Sequence, residues 1–140
     1  MATEAPGHDP LIGQTLGHYR ITERIGSGGM GVVYKALDTH LHRNVALKFL
    51  PSNIEREAHA LMRFRREAQA ASALNHPNII VIHDISREAG HDFIAMEYVS
   101  GKTLDQLIPR SGMRLDDMLK VAVQITDALA TAHEIGRAHV

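Results

Sequence analysis

Three glycines at positions 26, 28 and 31 and a lysine at 48 are the residues of this 140-residue sequence whose types and spacing suggest chemistry. Glycine has no side chain, so the run Gly26-Ser27-Gly28-Gly29-Met30-Gly31 can lie close over an anion and offer it backbone N–H donors. The same G-x-G-x-x-G spacing occurs in dinucleotide-binding folds, where the glycines open a helix whose N-terminus receives a pyrophosphate. Here Val32-Val33-Tyr34 follow, and β-branched and aromatic residues favour a strand. An ordinary glycine-rich turn fits these residues too. The sequence has no G-x-x-x-x-G-K-[ST] run, so a P-loop is not indicated.

Lys48 closes the run Val45-Ala46-Leu47-Lys48. A lysine in a strand most often faces solvent. A triphosphate, however, needs a fixed cation, and a strand beside a glycine hairpin is a rigid mount for one. Its flexible stem would need a counter-charge. Glu67, beside Phe64, Ala68 and Ala71, is the candidate; Glu55 and Glu57 lie nearer the start of the same segment, where they serve equally well as partners of a helix dipole.

The elements that would position these residues are legible in the periodicity. Tyr19, Ile21 and Ile25 alternate with polar residues, which predicts a half-buried strand. The glycines then join it to Val32–Ala36 as a hairpin, and Val45–Leu50 is a third strand closed by Pro51. From about Ile54 to Leu74 apolar residues recur at three- and four-residue steps (Leu61, Phe64, Ala68, Ala71), the stripe of an amphipathic helix. Asn75-His76-Pro77-Asn78 ends it, because the residue before proline is pushed out of the α region. Ile79–His83 and Phe93–Glu97 are predicted as two further strands around a turn containing Gly90. Thr103 is placed to cap a brief helix over Leu104–Ile108, and Leu115 to about Ile135 reads as a long helix with Leu115, Leu119, Ala122, Ile125 and Leu129 on one face. Five strands with one inserted helix, then helices, make an α+β arrangement.

Composition narrows the function classes. A content of 44% hydrophobic and 22% charged residues is that of an ordinary globular domain. A net charge of −1 argues against nucleic-acid binding, which needs a clustered cationic excess; Arg63, Arg65 and Arg66 read as a solvated helix face. There is no cysteine for disulfides or thiolate metal sites, and the ten histidines are scattered without an HExxH arrangement, so no metal site is expected. No apolar run approaches the ~20 residues of a membrane helix, and the first residues lack the features of a secretory signal. Met1 to about Leu16 reads as a flexible leader with Gly and Pro punctuation.

The order G-S-G-G-M-G-V-V, V-A-L-K, R-R-E-A, H-P-N-I-I and M-E-Y-V resembles the N-lobe of Hanks-type protein kinases, above all the bacterial eukaryotic-like serine/threonine kinases. The resemblance runs from about Leu16 to Gly136. It implies a five-stranded antiparallel sheet with a C-helix, followed by the first helices of a C-lobe, and divides the chain into a leader (1–16), an N-lobe with hinge (17–99) and the start of a C-lobe (100–140). It implies a transferase that moves the ATP γ-phosphate to protein serine or threonine hydroxyls, with Mg²⁺ as the metal of the full-length parent. Gly26, Gly28 and Gly31 would then form the loop over the ATP phosphates, with Ile25 among the ATP-binding residues, Val33 packing on the adenine and Ala46 closing the other upper side of the apolar slot. Lys48 would contact the α- and β-phosphates, oriented by Glu67. Met96 falls at the gatekeeper position, and Glu97 and Val99 fall in the hinge, whose backbone would hydrogen-bond the adenine edge. Plain strand packing also accounts for Met96 and Val99. A cytoplasmic location follows from the resemblance, and any membrane anchor of the parent would lie outside these residues.

The sequence departs from the family at its end. The H-R-D-L-x-x-x-N loop, which supplies the catalytic aspartate and an Mg²⁺-binding asparagine, and the D-F-G motif do not occur. His139 falls where the first of these would begin, but Arg137 stands at a usually apolar position and Val140 replaces the expected arginine. The expectation is therefore the N-terminal piece of a longer kinase, from a truncated or frame-shifted reading frame and inactive by itself. A short nucleotide- or partner-binding regulatory lobe is the alternative. The long C-terminal helix, lacking partners within the chain, would promote self-association.

Overall fold

The computed structural model describes residues 9–28, 31–50 and 58–138. Six strands, β1 (Thr15–Leu16), β2 (Tyr19–Gly28), β3 (Gly31–Asp38), β4 (Arg43–Phe49), β5 (Ile82–Glu88) and β6 (His91–Glu97), form one antiparallel sheet in the order β1-β2-β3-β4-β6-β5. Helix α1 (Ala58–Ala71) is inserted between β4 and β5 and lies against β5. Helices α2 (Leu104–Leu107) and α3 (Leu115–Ala138) follow the sheet.

One face of the sheet carries the core. Tyr34 and Ala36 of β3, Val45, Leu47 and Phe49 of β4, and Phe93 and Ala95 of β6 are all buried, at the two-residue period that puts alternate side chains on one face. Aromatic rings knit it together: Phe49 meets Tyr34 and Phe93 at 5.3 Å in both cases, and Tyr19 meets Phe93 edge-on at 5.9 Å. In α1 the predicted stripe faces inward, with Ala68 buried and Leu61, Phe64 and Ala71 half-buried, while Arg63, Arg66 and Gln69 are exposed. The start of that predicted helix, and Glu55 and Glu57 with it, lie outside the described residues. Thr103 caps α2 in a capping box with Gln106.

Three expectations need correction. The strand predicted over Ile79–His83 runs instead over Ile82–Glu88. The apolar run Ile79-Ile80-Val81 is the approach to it, held by Val81 N–H donating to the Glu97 carboxylate and by Glu97 N–H donating to the Val81 carbonyl. Ile25 does not share the inner face of Tyr19 and Ile21. Register shifts between Ile21/Glu23 and Arg24/Gly26 break the alternation, and Ile25 is left 43% exposed. The second half of the predicted leader is packed. Leu16 is buried, Leu11 lies against the core, and the Asp9 carboxylate accepts hydrogen bonds from the Tyr34 hydroxyl and the Leu11 N–H. Burial and that bond to Asp9 push the Tyr34 hydroxyl up to about 12.

Candidate functional site

The face opposite the core collects the residues singled out from sequence, and the strand register shows how. Gly26 pairs with Val33, Val33 with Lys48, and Lys48 with Ile94, which makes one cross-strand row on that face. The next row is Glu23, Lys35, Ala46 and Met96. Apolar Val33, Ala46 and Met96 thus form a shelf, with the Lys48 cation one residue pair away. Above its end, β2 and β3 close as a hairpin in which Gly28 pairs with Gly31. Gly31 has φ of 107°, a conformation that side-chain-bearing residues rarely adopt. A Cβ added at Gly26 would meet nothing within 4 Å, so the space over that strand is open to a ligand.

Glu67 stands apart from this group. It is exposed on α1, and among the described residues no ion pair joins it to Lys48. The rotation of α1 is set by another contact: Arg65 donates to Asp92 at 2.8 Å, and Arg87 reaches the same carboxylate at 3.4 Å. Asp92 is 3% exposed, so its charge is satisfied by those guanidinium groups rather than by bulk water. Residues two apart on a helix point about 200° apart, so seating Arg65 on Asp92 leaves Glu67 in solvent.

After Glu97 the chain leaves the sheet. Tyr98 is half-buried and Val99 exposed on the connector to α2. Side chains before β5 join the sheet to α3: His76 Nε2 lies 2.8 Å from the Asp127 carboxylate, Asn78 N–H donates to His76 Nδ1, and the Asn78 amide donates to the Gln124 carbonyl. A cavity of about 760 Å³ lies under that junction, lined by Ile79, Ile80, Glu97, Val99, Leu107 and Ile125 among others. Of the predicted site it shares Glu97 and Val99 alone. Val33, Ala46 and Lys48 lie outside it, Ala46 buried and Val33 and Lys48 half-buried.

The profile of the protein kinase domain matches residues 19–140. The chain belongs to the protein kinase family. It is similar to a probable serine/threonine-protein kinase of Clostridium acetobutylicum, 41% identical over 131 residues, covering 92% of this chain and 20% of that protein. It is 44% identical over 126 residues to the serine/threonine-protein kinase PrkC of Bacillus subtilis, covering 89% of this chain and 19% of that protein. Among solved structures, the kinase domain of PknI from Mycobacterium tuberculosis superposes with a TM-score of 0.77 at 29% identity, covering 89% of this chain and 52% of that one. The chain thus spans about a fifth of these curated relatives and half of the solved domain. The sheet with α1 matches the kinase N-lobe, and α2 and α3 match the start of the C-lobe.

Sequence reasoning passed over the Arg65–Asp92 tie and Lys35. The first left a faint signal, an acid directly before the apolar run Phe93-Ile94-Ala95-Met96. Lys35 left a clearer one, since it stands two residues after Val33 and so shares its face.

Proposed function

We propose that this chain is the ATP-binding part of a serine/threonine protein kinase and transfers no phosphate by itself. The observation that carries the reading is the pair of cross-strand rows, which set an apolar shelf of Val33, Ala46 and Met96 beside Lys48 under the glycine hairpin. Adenine would rest on the shelf between Ile25 and the backbone of Glu97 and Val99. The phosphates would run toward Lys48 and the N–H groups near Gly26, Gly28 and Gly31, where donors and a cation stabilise anionic oxygens. Glu67 would become the partner of Lys48 only with α1 rotated from its present setting. The residues present fit ATP in this way; the two motifs by which the family holds Mg²⁺ do not occur in the sequence. No helix among the described residues is long and apolar enough to cross a membrane.

A one-sided shelf buries less of a ligand than a closed cleft does, so the affinity is expected to be weak. Titration calorimetry with ATP should give a dissociation constant of about a millimolar, roughly −4 kcal/mol, weakened further in Lys48→Met. A radiolabelled-ATP assay with a basic protein substrate and Mg²⁺ or Mn²⁺ should show no turnover. Steady phosphorylation that survives repurification and disappears in Lys48→Met would overturn the inactive reading; micromolar ATP binding would show that this lobe alone makes a complete site.

A further inference from the structure

Lys35 is the residue on the shelf that the nucleotide reading leaves without a task. Its side chain is 27% exposed, and its Nζ sits 4.8 Å from the centroid of the Tyr98 ring, well inside cation–π range. Glu23 approaches the same ammonium from the neighbouring strand at 3.9 Å. The Thr22 hydroxyl, at the register shift of β2, donates to the Lys35 carbonyl at 3.1 Å and fixes the backbone from which the side chain springs. Lys35 is therefore held at its base, balanced by an acid on one side, and laid over an aromatic ring on the other.

That ring belongs to the connector. Glu97 is the last residue of β6, and the segment from Tyr98 to Thr103 is the covalent link from the sheet to α2 and α3. The residue before it, Glu97, is already pinned from one side by its two hydrogen bonds with Val81. The Lys35–Tyr98 contact pins the next residue from β3, three strands of chain order away but one cross-strand pair from Ala46. We propose that Lys35 is a positioning residue: through Tyr98 it sets where the connector backbone at Tyr98–Ser100 lies relative to the Val33/Ala46 shelf, and thereby which nucleobase edge that backbone can meet. The last clause rests on the nucleotide reading above; the brace itself does not.

Amide hydrogen exchange on the nucleotide-free 140-residue chain separates the two. A contact of this kind is worth a few-fold in local opening, so Lys35→Met, which keeps the stem and removes the charge, should speed exchange at Tyr98, Val99 and Ser100 by about three- to five-fold. Tyr98→Leu should do the same, and the double variant no more than either single one. Lys35→Arg should restore the original rates, while amides of Leu47 and Phe93 stay unchanged in every variant and show that the sheet is intact. Unchanged connector exchange in Lys35→Met, additive effects in the double variant, or no rescue by arginine would each overturn the brace. With ATP and GTP added, Lys35→Met should narrow the preference for adenine by a similar factor. If the brace is found but the unaltered chain binds neither nucleotide, the nucleotide reading fails and the positioning of the connector stands.

Discussion

Phe93 of β6 and Leu119 of α3 are both large apolar residues at regular positions of regular elements, yet Phe93 is 0% exposed and Leu119 51%. The difference runs through the molecule. Strands β1 to β6 bring Leu16, Tyr19, Ile21, Tyr34, Leu47, Phe49 and Phe93 onto one another, and with α1 against β5 this region closes its own core. Helix α3 carries a regular apolar stripe of its own, but Leu115, Leu119, Val123 and Leu129 are each more than half exposed, and among the described residues of the helix only Ala128 is buried. A pattern in sequence shows which face wants a partner; whether one exists depends on what the fold brings there.

The largest effect should come from the closed region. Phe93→Ala removes a ring in contact with Tyr19 and Phe49 and should cost about 3–5 kcal/mol, enough to unfold a marginal domain. Leu119→Ala should cost under about 0.5 kcal/mol, as at other exposed positions. Urea titration of both variants checks this; similar losses would mean that the two regions form one cooperative core. Next comes the tie between them and α1. Asp92→Ala removes the acceptor of Arg65 and Arg87, whose guanidinium groups can return to water because both side chains are about half exposed. The cost should be about 1–2 kcal/mol, with amides of α1 exchanging faster than those of β3 and β4. Uniform acceleration across the sheet would show that Asp92 supports the core rather than the helix.

A smaller effect is expected at the β3–β4 turn. Burial opposes ionisation of Asp38, but N–H donors of Leu41 and His40 outweigh it and hold the carboxyl below the usual carboxylate range. A depressed carboxyl stabilises the fold above its unfolded value, near pH 4, and loses that contribution as pH falls through its folded value. Asp38→Asn should thus be less stable by about 1 kcal/mol at pH 7, the difference between a charged and a neutral acceptor, with the gap closing as pH falls through the folded value of the carboxyl. A gap that does not narrow with acidification would assign the effect to packing.

Most of the fold was legible because its elements obey simple periods. Strand-forming runs bounded by turn residues located β3, β4 and β6, the three-and-four stripe located α1, and Thr103 marked α2. What failed did so where a tertiary contact overrode the local pattern. Ile79-Ile80-Val81 looks like a strand, but its polar backbone is met partly by the Glu97 side chain. Ile25 looks like a core residue, but a register shift turns it out. In the site, strand register puts Val33, Ala46, Lys48 and Met96 on one face, a grouping that the family resemblance implied and spacing alone did not. The position of Glu67 was not legible, because helix rotation is fixed by Arg65 and Asp92, which lie 27 residues apart in sequence.

The smallest expected effect on the sheet is none, and it is the sharpest form of the comparison. Removing everything after Lys102 deletes α2 and α3, whose side-chain hydrogen bonds to the remainder, among the described residues, are those of His76 with Asp127 and Asn78 with Gln124. Neither touches the aromatic core, so the thermal midpoint of the sheet should shift by less than a few degrees. The apolar stripe of α3 is another matter. Leaving roughly 300 Å² of it in water forfeits about 7 kcal/mol at ~25 cal/mol per Å², comparable to the net stability of a domain, so the 140-residue chain should lower its free energy by self-associating through this face. Size-exclusion chromatography should therefore show oligomers for the full chain and a monomer for the shortened one, with Leu119→Lys and Val123→Lys together moving the full chain toward monomer. A clean monomer at 140 residues combined with loss of the sheet's transition on shortening would reverse the comparison: α3 would then be a structural partner of the sheet, and its exposed stripe an ordinary surface.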